Sequence, residues 1–257
     1  MKFLNLFLFA LVAGHVEMKS VVDTENQELV ESLDIIINKY LDEKNSTISD
    51  VDVRVADLRN YQDAPAGKIT NEEEARGFVK FAGAAYCTKE SVLNWNCGNC
   101  HGYTAGSGES VYFSDEETNT AGYLTVNKPR KLIVLGYRGT RDITNWLYNI
   151  DTSFTDADLP SPYNEAQYHT GFNTMAKALL SDSRDALRNA LKKYPNHKVV
   201  FTGHSLGGAL AAMTAYKLAQ EGLISWEKIN LLTYGQPRLG NPDFAAYLNS
   251  KPWTTTR

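Results

Sequence analysis

The hexapeptide Gly203-His204-Ser205-Leu206-Gly207-Gly208 follows the apolar run Lys198-Val199-Val200-Phe201-Thr202 and precedes Ala209-Leu210-Ala211-Ala212-Met213. A strand that turns into a helix over so few residues forces Ser205 into a strained backbone conformation, and glycine at 203 and 207 leaves room for strand and helix to approach. The strain exposes the serine hydroxyl. The first amides of a helix starting at Leu206 point at the same spot, so the N–H of Leu206 can stabilise an oxyanion during acyl transfer. This is the sequence form of a nucleophile elbow with Ser205 as nucleophile. A bare G-x-S-x-G also occurs as an ordinary turn, and the flanking strand, the following helix and Gly208 are what raise this one above that. No histidine follows Ser205 in the 52 residues from Leu206 to Arg257, and Asp243 is the only aspartate among them. Such elbows normally draw their base from after the serine, so motif and downstream sequence disagree.

The surrounding pattern predicts an α/β fold with a largely parallel sheet and crossover helices. Glu72 to Tyr86 reads as a helix, with Phe78, Phe81, Ala82 and Ala85 on one face and Thr70 as its cap. Val111-Tyr112-Phe113 and Gly122 to Val126 read as a strand pair, and Lys131 to Tyr137 is apolar enough for a strand covered on both faces. Then helix and strand alternate: Phe172 to Tyr194, closed by Pro195, then Lys198 to Thr202, Leu206 to Gln220 and Ile229 to Tyr234. With 43% hydrophobic and 22% charged residues, the 257-residue chain can build one sizeable core. It carries neither a basic stripe nor a Gly-rich phosphate loop, which removes nucleic acids and nucleotides from the expected partners.

The first residues differ from the body. Lys2 followed by the apolar stretch Phe3 to Val12, with small residues at Ala13 and Gly14, reads as a secretory signal peptide over 1–19, and the stretch is too short to span a membrane. Residues 21–75 hold 14 Asp and Glu against 5 Lys and Arg. That acidic leader, 20–71, is either a propeptide, cleaved or masking, or a solvated helix, since Leu29, Leu33, Ile36, Ile37 and Tyr40 recur at helical spacing. Asn45-Ser46-Thr47 is a glycosylation sequon consistent with export. Of three cysteines, Cys97 and Cys100 form either a tight local bridge or, with His101 alone beside them, half of a weak zinc site; Cys87 has no evident partner.

Two further segments bear on chemistry. Tyr137-Arg138-Gly139-Thr140 ends a strand on a small hydroxyl residue able to offer both N–H and side chain to an oxyanion. Next, Ile143, Trp146, Leu147 and Ile150 fall at i, i+3, i+4 and i+7 among polar residues. This short amphipathic helix is either surface packing or a lid that covers an acyl groove in water and turns toward lipid at an interface.

These motifs, together with Asn145-Trp146, Tyr168-His169-Thr170-Gly171-Phe172, Trp95-x-Cys97-x-x-Cys100 and Tyr234-Gly235-Gln236-Pro237-Arg238-Leu239-Gly240-Asn241, stand in the order and approximate spacing of the fungal-type, class 3 triacylglycerol lipases, which the chain resembles from about residue 72 to 250. The resemblance implies an α/β-hydrolase fold over 72–257, Ser205 as nucleophile, Thr140 and the N–H of Leu206 as oxyanion donors, Ile143 to Ile150 as lid, and a secreted enzyme acting without metal or organic cofactor on lipid esters at an oil–water interface. The lid makes peripheral lipid contact, with no membrane span. His169 and His204 match family positions that are structural, and His197 is expected to be exposed in a turn. The family's triad aspartate and histidine match nothing after Gly240-Asn241, Asp243 belongs to a first helical turn, and Cys87 matches a cysteine that bridges to a C-terminal one. The sequence is therefore expected to be cut short, with an incomplete sheet edge, poor folding and little activity of its own. Two other readings stay open: a non-catalytic lipid-binding relative, and an esterase of the same fold acting on soluble or cell-wall esters.

Overall fold

The computed structural model describes residues 72–140 and 153–256. The signal-like start, the acidic leader with Thr70, and the amphipathic segment Ile143 to Ile150 lie outside those residues. Helices α1 (Glu72–Ala84) and α2 (Lys89–Asn94) lead through two short 3-10 turns into strands β1 (Ser107–Asp115), β2 (Thr120–Asn127) and β3 (Leu132–Tyr137). A small ribbon of β4 (Phe154–Asp156) and β5 (Gln167–His169) precedes α3 (Thr170–Lys193), β6 (Lys198–His204), α4 (Leu206–Gln220), β7 (Ile229–Tyr234), α5 (Pro242–Asn249) and β8 (Thr254–Thr256).

The main sheet runs β1-β2-β3-β6-β7-β8. Its first three strands form an antiparallel meander, while β3, β6, β7 and β8 are mutually parallel. Alternation along the strands sets the layers. Leu132, Val134, Val200 and Leu232 share one face with Phe78 and Phe81 of α1, and the Tyr123 hydroxyl crosses from β2 to donate to the Phe81 carbonyl at 2.6 Å. The alternate residues point the other way, where Tyr137 reaches α3 by donating to Ser183 Oγ at 2.9 Å. Both faces of the central strands are thus covered, as their unbroken apolar runs require.

Differences from the sequence expectation have local causes. Helix α1 ends at Ala84 rather than Tyr86 because the amides of Ala85, Tyr86 and Cys87 bond three residues back, to Ala82, Gly83 and Ala84. That tightening is the usual way an α-helix closes. Helix α2 was not expected; Thr88 caps it through the Ser91 amide, and Trp95 ends it in the left-handed region. Cys97 and Cys100 stand at disulfide distance in the turn beyond it, with Cα atoms 4.9 Å apart, so the pair is a local bridge rather than half of a zinc site. Among the described residues no cluster of His, Cys, Asp and Glu could hold a metal ion. Half-buried Cys87 packs against the same α1 cluster.

At the far edge, Thr254–Thr256 pair in parallel with Asn230–Leu232. Trp253 anchors it: the indole N–H donates to the Leu248 carbonyl at 2.9 Å and the ring lies 5.2 Å from Trp226.

Candidate active site

Between the last residue of β6 and the first of α4 stands one residue, Ser205. It makes the whole turn alone, at φ 54° and ψ −126°. A non-glycine residue there is strained by roughly 1–3 kcal/mol, and the surroundings have to hold it in place. Three contacts do so. The Ser205 amide donates to the Tyr234 carbonyl of β7 at 2.8 Å, and its carbonyl accepts from the Gly208 amide at 2.9 Å. On the third side there is no space: a Cβ at Gly203 would collide with the Gly207 backbone, and a Cβ at Gly207 with the Tyr137 carbonyl oxygen. The glycines at 203 and 207 are therefore needed for close approach, as expected from the motif. The expected exposure of the serine is not observed. Ser205 is only 1% exposed, between buried His204 and Leu206.

Leu206 opens α4, so its amide precedes every intrahelical acceptor and lies at the positive end of the helix dipole. The Tyr137-Arg138-Gly139-Thr140 segment arrives beside it. Tyr137 pairs with Gly203 across parallel β3 and β6, and Gly207 is packed directly on Arg138 and Gly139. Arg138 ties the segment back to the sheet through its amide to Ala121 O at 2.9 Å, and its guanidinium grips the Asn119 carbonyl at 2.7 Å. Thr140, half-buried, follows at once. The fold thus brings three of the sequence candidates, Ser205, Leu206 and Thr140, to one end of the parallel strands. Ile143, Trp146, Leu147 and Ile150 lie outside the described residues.

None of the histidines at 101, 169, 197 and 204 hydrogen-bonds Ser205. His204 is turned onto the α1 side, where Tyr86 Oη lies 3.2 Å from its Nδ1. Burial pulls its pKa down to about 4, so the imidazole is neutral near pH 7. His169 stacks on Phe172 at 4.2 Å. His197 is half-buried rather than exposed: its ring packs 4.8 Å from Tyr194, and burial, then the charge of Lys131, lower its pKa. Asp243 is exposed in the first turn of α5, beside the Asn241 cap and Pro242.

Sequence reasoning passed over two residues, Tyr86 beside the bend and Asn241 farther along the chain. Tyr86 lies in the turn after α1, and nothing in its neighbours marks it. Asn241, in the Gly-Asn pair, is a clamp: its Oδ1 accepts from the amides of Phe244 and Gln167, both at 3.0 Å, and its Nδ2 donates to the Glu165 carbonyl at 2.7 Å. Its signal was the Asn-Pro helix start, which reports the first contact but not the other two.

A mainly parallel sheet with helices on both faces and a strained serine at a strand-to-helix bend define the α/β-hydrolase class. The family model "Lipase (class 3)" matches residues 134–256. The chain is 33% identical over 178 residues to the lipase of Rhizopus niveus, covering 67% of this chain and 45% of that protein. It is 30% identical over 181 residues to the secreted mono- and diacylglycerol lipase 1 of Fusarium solani, covering 68% and 52%. The solved structure of lipase II from Rhizopus niveus superposes with a TM-score of 0.65 at 30% identity, covering 74% of this chain and 72% of that one. The chain belongs to the class 3 lipase family. It spans about half the length of the curated relatives it matches.

Proposed function

We propose that Ser205 is the nucleophile of a carboxylic-ester hydrolase acting on acylglycerols, with Thr140 and the N–H of Leu206 as its oxyanion donors. One observation carries this reading: Ser205 occupies a positive-φ, single-residue bend at the start of α4, with the Gly139 and Gly207 backbones packed together beside it. Strain at that price is retained where a fold needs a hydroxyl at one place. In the reaction Ser205 Oγ attacks the ester carbonyl and its proton passes to a base. The carbonyl oxygen takes up negative charge against the Leu206 amide and Thr140, the alcohol departs with a proton, and water then releases the fatty acid from the acyl-enzyme.

None of the histidines among the described residues bonds Ser205, and the reaction requires a base in contact with it. The amphipathic spacing of Ile143, Trp146, Leu147 and Ile150 supports reading Ile143 to Ile150 as a lid. The charged-then-apolar start of the chain and the secreted relative in Fusarium solani support export, with 1–19 as signal and 20–71 as an acidic leader or propeptide.

The second reading, a lipid-binding relative without catalysis, is favoured by the same missing base. Tributyrin emulsion separates the two. The full-length protein is expected to hydrolyse it, more steeply above the solubility limit than below, and Ser205→Ala to abolish the activity. Binding to the emulsion without hydrolysis would establish the second reading instead.

A further inference from the structure

The two halves of the proposed oxyanion site come from different strands, and their spacing has to be set by something. Thr140 extends from β3 through Gly139, and Ser205 extends from β6 through His204. Tyr86, from the turn after α1, reaches the place where Gly139 and His204 meet. Its hydroxyl occupies the space a side chain on Gly139 would need, and the His204 carbonyl oxygen would lie 2.7 Å from that same Cβ. The hydroxyl also stands 3.2 Å from His204 Nδ1 and 3.5 Å from the His204 carbonyl.

We infer that Tyr86 and His204 are positioning residues for the reaction proposed above, the Tyr86 hydroxyl wedging the Gly139 backbone against the His204–Ser205 bend so that Thr140 and the Leu206 amide face one oxyanion. The inference rests on that functional reading.

The hydroxyl lies 3.2 Å from Nδ1 and 3.5 Å from the carbonyl oxygen, so it contacts both the ring and the backbone of His204. Burial keeps the ring neutral and able to accept. The Ser205 amide is bonded to Tyr234 on the β7 side, so the Gly139 side is where the spacing depends on packing rather than on the sheet. Removing one oxygen from Tyr86 leaves the aromatic packing and deletes both the bond and the wedge.

The test is Tyr86→Phe in the full-length protein, beside Ser205→Ala, with kcat and KM measured on a dissolved short-chain ester, thermal melting, and the ¹⁵N shifts of the His204 imidazole. A misplaced oxyanion site costs turnover and spares ground-state binding, so kcat is expected to fall about tenfold or more with KM within about twofold. The His204 Nδ1 resonance is expected to move, because it loses its hydroxyl partner, while the melting temperature holds within a few degrees. Ser205-dependent turnover that Tyr86→Phe leaves unchanged, or lowers only in step with the melting temperature, overturns this inference and leaves the functional reading standing. An unmoved Nδ1 resonance overturns it as well. Wild-type protein with no Ser205-dependent turnover sinks the functional reading, and the inference with it.

Discussion

Gly207 and Gly208 are neighbours in the first turn of α4, yet alanine is expected to separate them sharply. A Cβ on Gly207 would collide with the Tyr137 carbonyl oxygen and stand 2.8 Å from the Gly139 nitrogen and 2.9 Å from the Arg138 carbonyl carbon. All three obstacles are backbone atoms: the first belongs to Tyr137, which ends β3 and is paired by β2 and β6, and the other two to the residues that follow it, so none can swing away like a side-chain tip. A Cβ on Gly208 would meet Gln236 Cβ at 3.1 Å, the Gly203 oxygen at 3.2 Å and Thr233 Cβ at 3.3 Å. Shifts of a few tenths of an ångström relieve those contacts. Both substitutions gain the same helix propensity, up to about 1 kcal/mol, so their difference isolates the collision. Overpacking costs typically about 1–3 kcal/mol, and an immovable backbone obstacle belongs at the upper end. Gly207→Ala is therefore expected to be less stable than Gly208→Ala by about 2–3 kcal/mol in urea unfolding followed by circular dichroism, with equal slopes. Equal stabilities would refute the close approach of β3 and α4 on which the proposed site depends.

Two other outcomes can be checked the same way. His204 is neutral and buried with its pKa lowered to about 4 from 6.5, so the unfolded chain binds a proton that the folded one refuses between those values. Stability is therefore present above about pH 6.5 and is lost as the pH falls toward 4, by on the order of 3 kcal/mol; His204→Asn flattens that part of the pH–stability curve, and a curve of unchanged slope would contradict the assignment. Asn241→Ala removes a helix cap together with the two bonds to the Glu165–Gln167 segment. It should cost about 2 kcal/mol, and Asn241→Asp, which keeps the acceptor and loses the donor, should fall between it and wild type in thermal melts.

Much of the sheet was legible because its strands are either wholly apolar or bounded by strong turns. Leu206–Gln220 and Ile229–Tyr234 were read to the residue, since each begins or ends at a glycine-marked bend. What stayed hidden is held by contacts distant in sequence. The three-residue strands β4 and β5 are too short for a period, and β5 is tied down by Asn241, 74 residues away from Gln167. Tyr86 lies 118 residues from His204, and a tyrosine after a helix gives no hint of such a partner. The elbow was legible because its chemistry is local: two glycines and a serine within five residues. Its burial was not, since exposure is decided by packing that no motif records. The histidines show the same divide, with His204 placed by its motif and His197 misjudged because its packing on Tyr194 follows from the fold of a turn.

The account turns on Ser205 being the atom that bonds to substrate. The full-length protein should be treated with an alkyl p-nitrophenyl phosphonate, digested, and the modified peptide sequenced by mass spectrometry. One adduct is expected, on the peptide containing Ser205, with its loss in Ser205→Ala and in parallel with loss of ester hydrolysis. An adduct on any other residue, or hydrolysis that survives Ser205→Ala, would contradict it.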